Sequence, residues 1–163
     1  MSVLVSKRRE SKLEPITYSI QLHEMLTELA QRDFGVKDLD QLVRVRYANG
    51  IDKMEDFGRY RGLMRLEREK IDQLGYLLTN NLRGANSIYP TSMHEYEQRR
   101  DYQNFGIVNC EQLIKELQRI VELFNVDINV YERCIKAIEQ EIVLIKKWRQ
   151  RDNKIKSYLQ GNV

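Results

Sequence analysis

"SIYPTSMHEYEQRRDYQNFG", residues Ser87 to Gly106, marks where the chain turns between two long elements. Ahead of it, Leu63, Leu66, Ile71, Leu74, Leu77, Leu78, Leu82 and Ala85 recur at helical spacing and hold one apolar face for several turns, fading near Asn86. Tyr89 precedes Pro90, and the proline ring disfavours helical geometry in the residue before it. Ser92 is followed three residues later by Glu95, the pattern of a capping box, in which each side chain satisfies a backbone N–H that the first turn leaves unpaired. The stretch therefore predicts a corner, with a new helix starting near Ser92.

That helix runs to Phe124 through Tyr96, Ile107, Val108, Leu113, Leu117, Ile120 and Val121, a length of roughly 50 Å at 1.5 Å per residue. Gly106 weakens it without ending it. "NVDIN" makes the next turn, with Asp127 or Asn129 as N-cap, and Tyr131, Cys134, Ile135, Ile138, Ile142, Ile145 and Trp148 form another stripe that continues into a basic tail. Toward the N-terminus, Leu13, Ile16, Ile20, Met25, Leu26 and Leu29 make the first helix, with Pro15 suited to its first turn and Gly35 stopping it after Phe34. Between Gly35 and Gly58 the pattern weakens, and Leu39, Leu42, Val43 and Val45 fit one short helix or an ordered excursion.

Four amphipathic helices with mostly short connections predict an all-α chain folded as an antiparallel up-down-up-down four-helix bundle. Residues 1–163 read as one domain with a basic N-terminal arm (1–12), an excursion between helices 1 and 2 (35–58) and a basic C-terminal extension (146–163). Composition agrees: 42% hydrophobic and 31% charged residues with only eight glycines and two prolines leave room for few turns. No apolar run approaches the roughly 20 residues needed to cross a bilayer. "MSVLV" passes at once into "SKRRESK", unlike a secretion signal, so a cytoplasmic protein with reduced thiols is expected, Cys110 and Cys134 being core residues.

The net charge of +3 is unevenly spread. Both ends are basic and the body is acidic. An up-down-up-down bundle places the start of helix 1, the turn between helices 2 and 3 and the end of helix 4 together. Lys7, Arg8, Arg9, Arg83, Arg99, Arg100, Lys146, Lys147, Arg149, Arg151, Lys154 and Lys156 are then expected to share one end and to attract phosphates. Tyr96, Tyr102, Trp148 and Tyr158 lie among them and could stack on unpaired bases. The competing reading is a solvated surface whose cations complement the dipole of helix 4, with Trp148 belonging to the apolar stripe.

Motifs for catalysis are missing. His23-Glu24 lacks the second histidine of HExxH, and neither His23 nor His94 has a glutamate three residues before it, as a di-iron bundle requires. Two "DFG" triplets, Asp33 to Gly35 and Asp56 to Gly58, come without the other kinase elements and read as helix-boundary sequences. No phosphate-cradling GxxxxGK[ST] occurs. The expectation is a non-enzyme with no catalytic residue, metal or cofactor. Tyr76, Phe105, Val143 and Leu144 fall off the main faces and offer either a second stripe for self-association or the edge of a wide core stripe.

The "IYPTSMHEYEQRRDYQ" corner, the third helix "NCEQLIKELQRI" and the ending "IEQEIVLIKKWRQRDNKI" together resemble the Avd-like four-helix bundle proteins, over roughly Ser6 to Lys156. These are accessory proteins of diversity-generating retroelements, related in fold to proteins encoded by insertions in bacterial ribosomal RNA genes. The resemblance implies a homopentamer that binds a reverse transcriptase and its template RNA or cDNA and supports mutagenic cDNA synthesis without catalysis of its own. The chain departs from that pattern in its 35–58 excursion and its strongly basic tail. An alternative of another class is a structural bundle whose basic end docks an acidic protein, without nucleic acid.

Overall fold

Apolar side chains three and four residues apart can be buried only if the helices carrying them meet face to face, and four such helices do so here. The computed structural model describes residues 13–36, 53–124 and 126–161. Within it, α1 spans Glu14–Gln31, α2 Lys53–Ser87, α3 Met93–Phe124 and α4 Asn129–Leu159. Helices adjacent in sequence pack together, and α4 closes back against α1, giving the four-helix bundle with up-down-up-down order. The core runs its length through Ile16, Leu22 and Leu26 of α1, Ile71, Leu78 and Leu82 of α2, Cys110, Leu113 and Leu117 of α3, and Cys134, Ile138 and Ile145 of α4. Among the described residues no helix is long and apolar enough to cross a membrane.

Pro15 sits in the first turn of α1, where its missing N–H has no partner to lose. The helix ends where three successive residues take positive φ: Asp33 (52°), Phe34 (55°) and Gly35 (80°). Only Gly35 adopts that geometry without steric cost, so the other two need support. Arg68 of α2 pairs with the Asp33 carboxylate and donates Nε to the Ala30 carbonyl at 3.0 Å. The Phe34 ring is buried and stacks on Phe124, with centroids 6.4 Å apart, while its carbonyl accepts from the Tyr131 hydroxyl. The first DFG triplet is thus a helix stop.

The second is not. Asp56 to Gly58 lies inside α2, which starts at Lys53, so the excursion expected over 35–58 is shorter at its far end. A glycine costs a helix interior only about 1 kcal/mol, which a 35-residue helix absorbs. Leu39, Leu42, Val43 and Val45 lie outside the described residues.

The corner at Ser87 to Glu95 closes much as its residues suggest. Ser92 Oγ accepts from the Glu95 N–H at 3.3 Å, and Glu95 reaches back one residue further than a capping box requires, to the N–H and hydroxyl of Thr91, both at 2.7 Å. Those bonds hold the exposed Glu95 carboxyl below its ordinary range. At the other turn, Asp127 accepts from the Asn129 N–H at 2.9 Å just ahead of α4.

The apolar periodicity did not foretell the polar groups inside. Leu66 is 43% exposed, whereas Glu67 beside it is fully buried and meets Lys70 at 3.3 Å and Arg119 at 3.2 Å. Glu116 faces the same cluster and its carboxyl is pushed up, first by burial and then by its neighbour Glu67. Glu141, in the middle of α4, is fully buried and neither of its carboxyl oxygens has a hydrogen-bond partner.

Candidate nucleic-acid interface

The end of the bundle where α1 begins, α2 turns into α3 and α4 finishes is built around one buried ion pair. Trp148 faces the core, and the residue one turn later on the same stripe is Asp152, the only acid of the basic tail. A carboxylate buried there needs a cation, and α3 supplies Arg99. Arg99 Nε donates to Asp152 Oδ2 at 2.7 Å and Nη2 to Oδ1 at 3.1 Å, the forked geometry that arginine matches best. Gln103 adds a bond to Asp152 Oδ2 at 2.8 Å, and the guanidinium lies 5.2 Å from the centre of the Trp148 ring.

Arg99 also donates Nη1 to the carbonyls of Ala85 at 3.3 Å and Ile88 at 2.9 Å, at the end of α2 and just past it, where the Ala85 carbonyl also accepts from the Ile88 N–H. A single guanidinium thereby ties α2, α3 and α4 together at the corner. Arg99 is the one expected nucleic-acid contact that the geometry withdraws: its side chain is 11% exposed and its donors are already engaged. Trp148 and Tyr96 are likewise buried, which removes them as stacking surfaces for bases.

The other cations are arranged differently. Lys146, Lys147, Arg151, Lys154 and Lys156 are exposed and Arg149 is half-buried; among the described residues none of the six is in an ion pair. With Asp152 neutralised internally, nothing on this part of α4 offsets their charge. Arg100 lies over the Tyr96 ring and donates to the Tyr96 hydroxyl and to Asn153 Oδ1, uncharged partners that orient its guanidinium and leave its charge in place. Arg83 is exposed on the α1 side of α2, beside a shallow groove shared with His23. Lys7, Arg8 and Arg9 lie outside the described residues.

Compared with protein-family models, curated proteins and solved structures, the chain matches none.

The helical spacing of α4 sorts its cations into two rows. Asn153 bonds to Tyr96 and Arg100 of α3, which marks one side of the helix. Lys147, Arg151 and Lys154 line a groove with Glu14 and Pro15 of α1, which marks the other. Tyr158 is 75% exposed and stands four residues beyond Lys154, on that second row.

Elsewhere the described side chains offer little chemistry. No group of three or more His, Cys, Asp or Glu among them is placed to hold a metal ion. Cys110 and Cys134 are free thiols inside the core, pushed up mainly by burial, Cys110 also by Glu141. His23 meets Asp72 at 2.9 Å at the surface, in a groove it shares with Thr79 and Tyr76. Of the off-face apolar residues, Tyr76, Phe105 and Val143 are exposed, while Leu144 is buried.

The network around Asp152 went unread in the sequence, although one signal was present: an acid four residues after the apolar Trp148 must point into the same interface. Gln103, which falls seven residues before Cys110 on the apolar face of α3, carries the matching signal.

Proposed function

We propose that this bundle is a non-catalytic nucleic-acid-binding protein that serves as an accessory to a reverse transcriptase and engages its template RNA or the cDNA made from it. The observation that carries the reading is the set of six cations from Lys146 to Lys156, none of them ion-paired among the described residues, on a helix anchored internally by Arg99 and Asp152. Unpaired cations on a rigid helix keep their charge free for phosphates, whereas cations already paired with carboxylates would first have to give those partners up. The resemblance of the corner, the third helix and the basic ending to Avd-like bundles supplies the reverse transcriptase, the RNA and the homopentamer. Exposed Tyr76, Phe105 and Val143 are the residues through which copies would associate.

The test is equilibrium binding of the purified chain to a structured RNA and a matched DNA across a series of salt concentrations. Six phosphate contacts give a slope of roughly −4 to −5 in log affinity against log salt. Absent or salt-insensitive binding would sink the proposal and turn attention to an acidic protein as the partner of the basic end.

A further inference from the structure

The groove between the first turn of α1 and the last turns of α4 has a shape as well as a charge. Its floor is apolar, made by Pro15 and Leu144, and both residues are buried. Its rim on the α4 side is Lys147, Arg151 and Lys154, all exposed, with Gln150 beside them and Glu14 on the opposite wall. The cavity measures about 440 Å³, within the range of roughly 300–1,000 Å³ typical of pockets that enclose small organic groups.

Building on the nucleic-acid reading above, we infer that this groove takes an unpaired strand, with phosphates on the Lys147, Arg151 and Lys154 row, a base on the Pro15 and Leu144 floor, and a neighbouring base stacked on Tyr158. The row advances about 6 Å, 4.5 Å and 6 Å along the helix axis between Lys147, Arg151, Lys154 and Tyr158, at 1.5 Å per residue. Three cations and a ring therefore follow one another along about 16 Å of a single face. A strand free of its complement can lay its backbone along such a row and turn its bases sideways.

A duplex cannot use the same features. Its bases are stacked and paired, so the apolar floor stays empty and Tyr158 has no exposed π-face to meet. The duplex would touch only the tips of the cations, and the row on the α3 side, with Lys146, Arg149 and Lys156, would serve it as well. Glu14 sharpens the distinction. A carboxylate on the far wall repels a second phosphate backbone, yet it can accept from the amino group of a base or a ribose hydroxyl.

The experiment uses the full chain and fluorescence anisotropy with a labelled single strand, the same strand annealed to its complement, and three variants. In the first, Lys147, Arg151 and Lys154 all become Gln; in the second, the control, Lys146, Arg149 and Lys156 become Gln; the third is Tyr158→Ala. These side chains are exposed apart from the half-buried Arg149, and circular dichroism verifies folding of each variant. The groove variant is expected to flatten the single-strand salt slope by about 2, and Tyr158→Ala to weaken single-strand binding about tenfold while leaving duplex binding unchanged. Equal affinity for strand and duplex, or greater sensitivity to the control triple, overturns the groove assignment and leaves nucleic-acid binding standing. No binding of either probe at low salt overturns both.

Discussion

Replacing Glu141 by glutamine should stabilise the bundle at neutral pH, by an amount that grows with pH. Both oxygens of this fully buried carboxyl lack partners, so the charged form is penalised by desolvation with no compensating bond. The charge facing it from α1 is Glu14, which adds repulsion, and the neutral groups around it include Tyr18 of α1 and Cys110 of α3. Burial, with the Glu14 charge adding to it, pushes its pKa from the ordinary 4.5 up to about 9. A folded-state pKa above the unfolded value means that the stability is fully present below pH 4.5 and is lost as pH climbs toward 9, because the unfolded chain releases the proton first. At about 1.36 kcal/mol per pH unit, the loss at pH 7 is about 3 kcal/mol. Glutamine keeps the shape of the protonated acid and carries no charge, so Glu141→Gln should match the wild type near pH 4 and exceed it by about 3 kcal/mol at pH 7. For a chain of this length that corresponds to a rise in Tm of roughly 6–12 °C. Urea unfolding of both proteins at pH 4, 5.5, 7 and 8.5 reads this directly. A stability gap that stays constant across that range would refute the reasoning, since it would mean that the carboxyl ionises normally.

Three further outcomes follow from the packing. Arg99→Ala strands the buried Asp152 carboxylate and takes the donor from the Ile88 carbonyl just past α2, and should cost about 3–5 kcal/mol in chemical denaturation; the double variant with Asp152→Ala should recover part of that loss. Tyr131→Phe removes the hydroxyl that serves the Phe34 carbonyl and should cost about 1–3 kcal/mol at unchanged helical content. Cys110 and Cys134, buried and with thiols pushed above their ordinary values, should react with a thiol reagent only at the rate of unfolding at pH 7.5; immediate labelling of the native protein would contradict that placement.

Most of the fold could be read from particular residues. Pro90, Ser92 and Glu95 gave the corner, and Gly35 gave the end of α1, because backbone geometry and unpaired N–H groups constrain those positions locally. The apolar stripes gave the four helices because burial depends on period. Their limits are equally physical. Leu66 continues the pattern of its neighbours yet faces solvent, while Glu67 is buried because Arg119 and Lys70 come to meet it from across the bundle and along the helix. A stripe of apolar letters has no way to register a partner on another helix. For the same reason Arg99 reads as one more surface cation until Asp152 is seen opposite it, and Gly58 reads as a break although α2 passes through it. The basic end was legible as a region, since topology alone gathers it. Its division into an internal tie, a groove row and a row facing α3 required side-chain positions.

The claim on which the functional account rests is that the cations at the end of α4 hold nucleic acid. Changing Lys146, Lys147, Arg149, Arg151, Lys154 and Lys156 together to glutamine leaves the Arg99 and Asp152 tie in place, so the bundle should stay folded by circular dichroism. Anisotropy titration of this variant and the wild type with a structured RNA at 50 and 200 mM salt is the most direct test. The wild type should lose about 300-fold in affinity between the two salts, and the variant should bind weakly at both with little change between them. A folded variant that retains wild-type affinity and salt dependence would contradict the account.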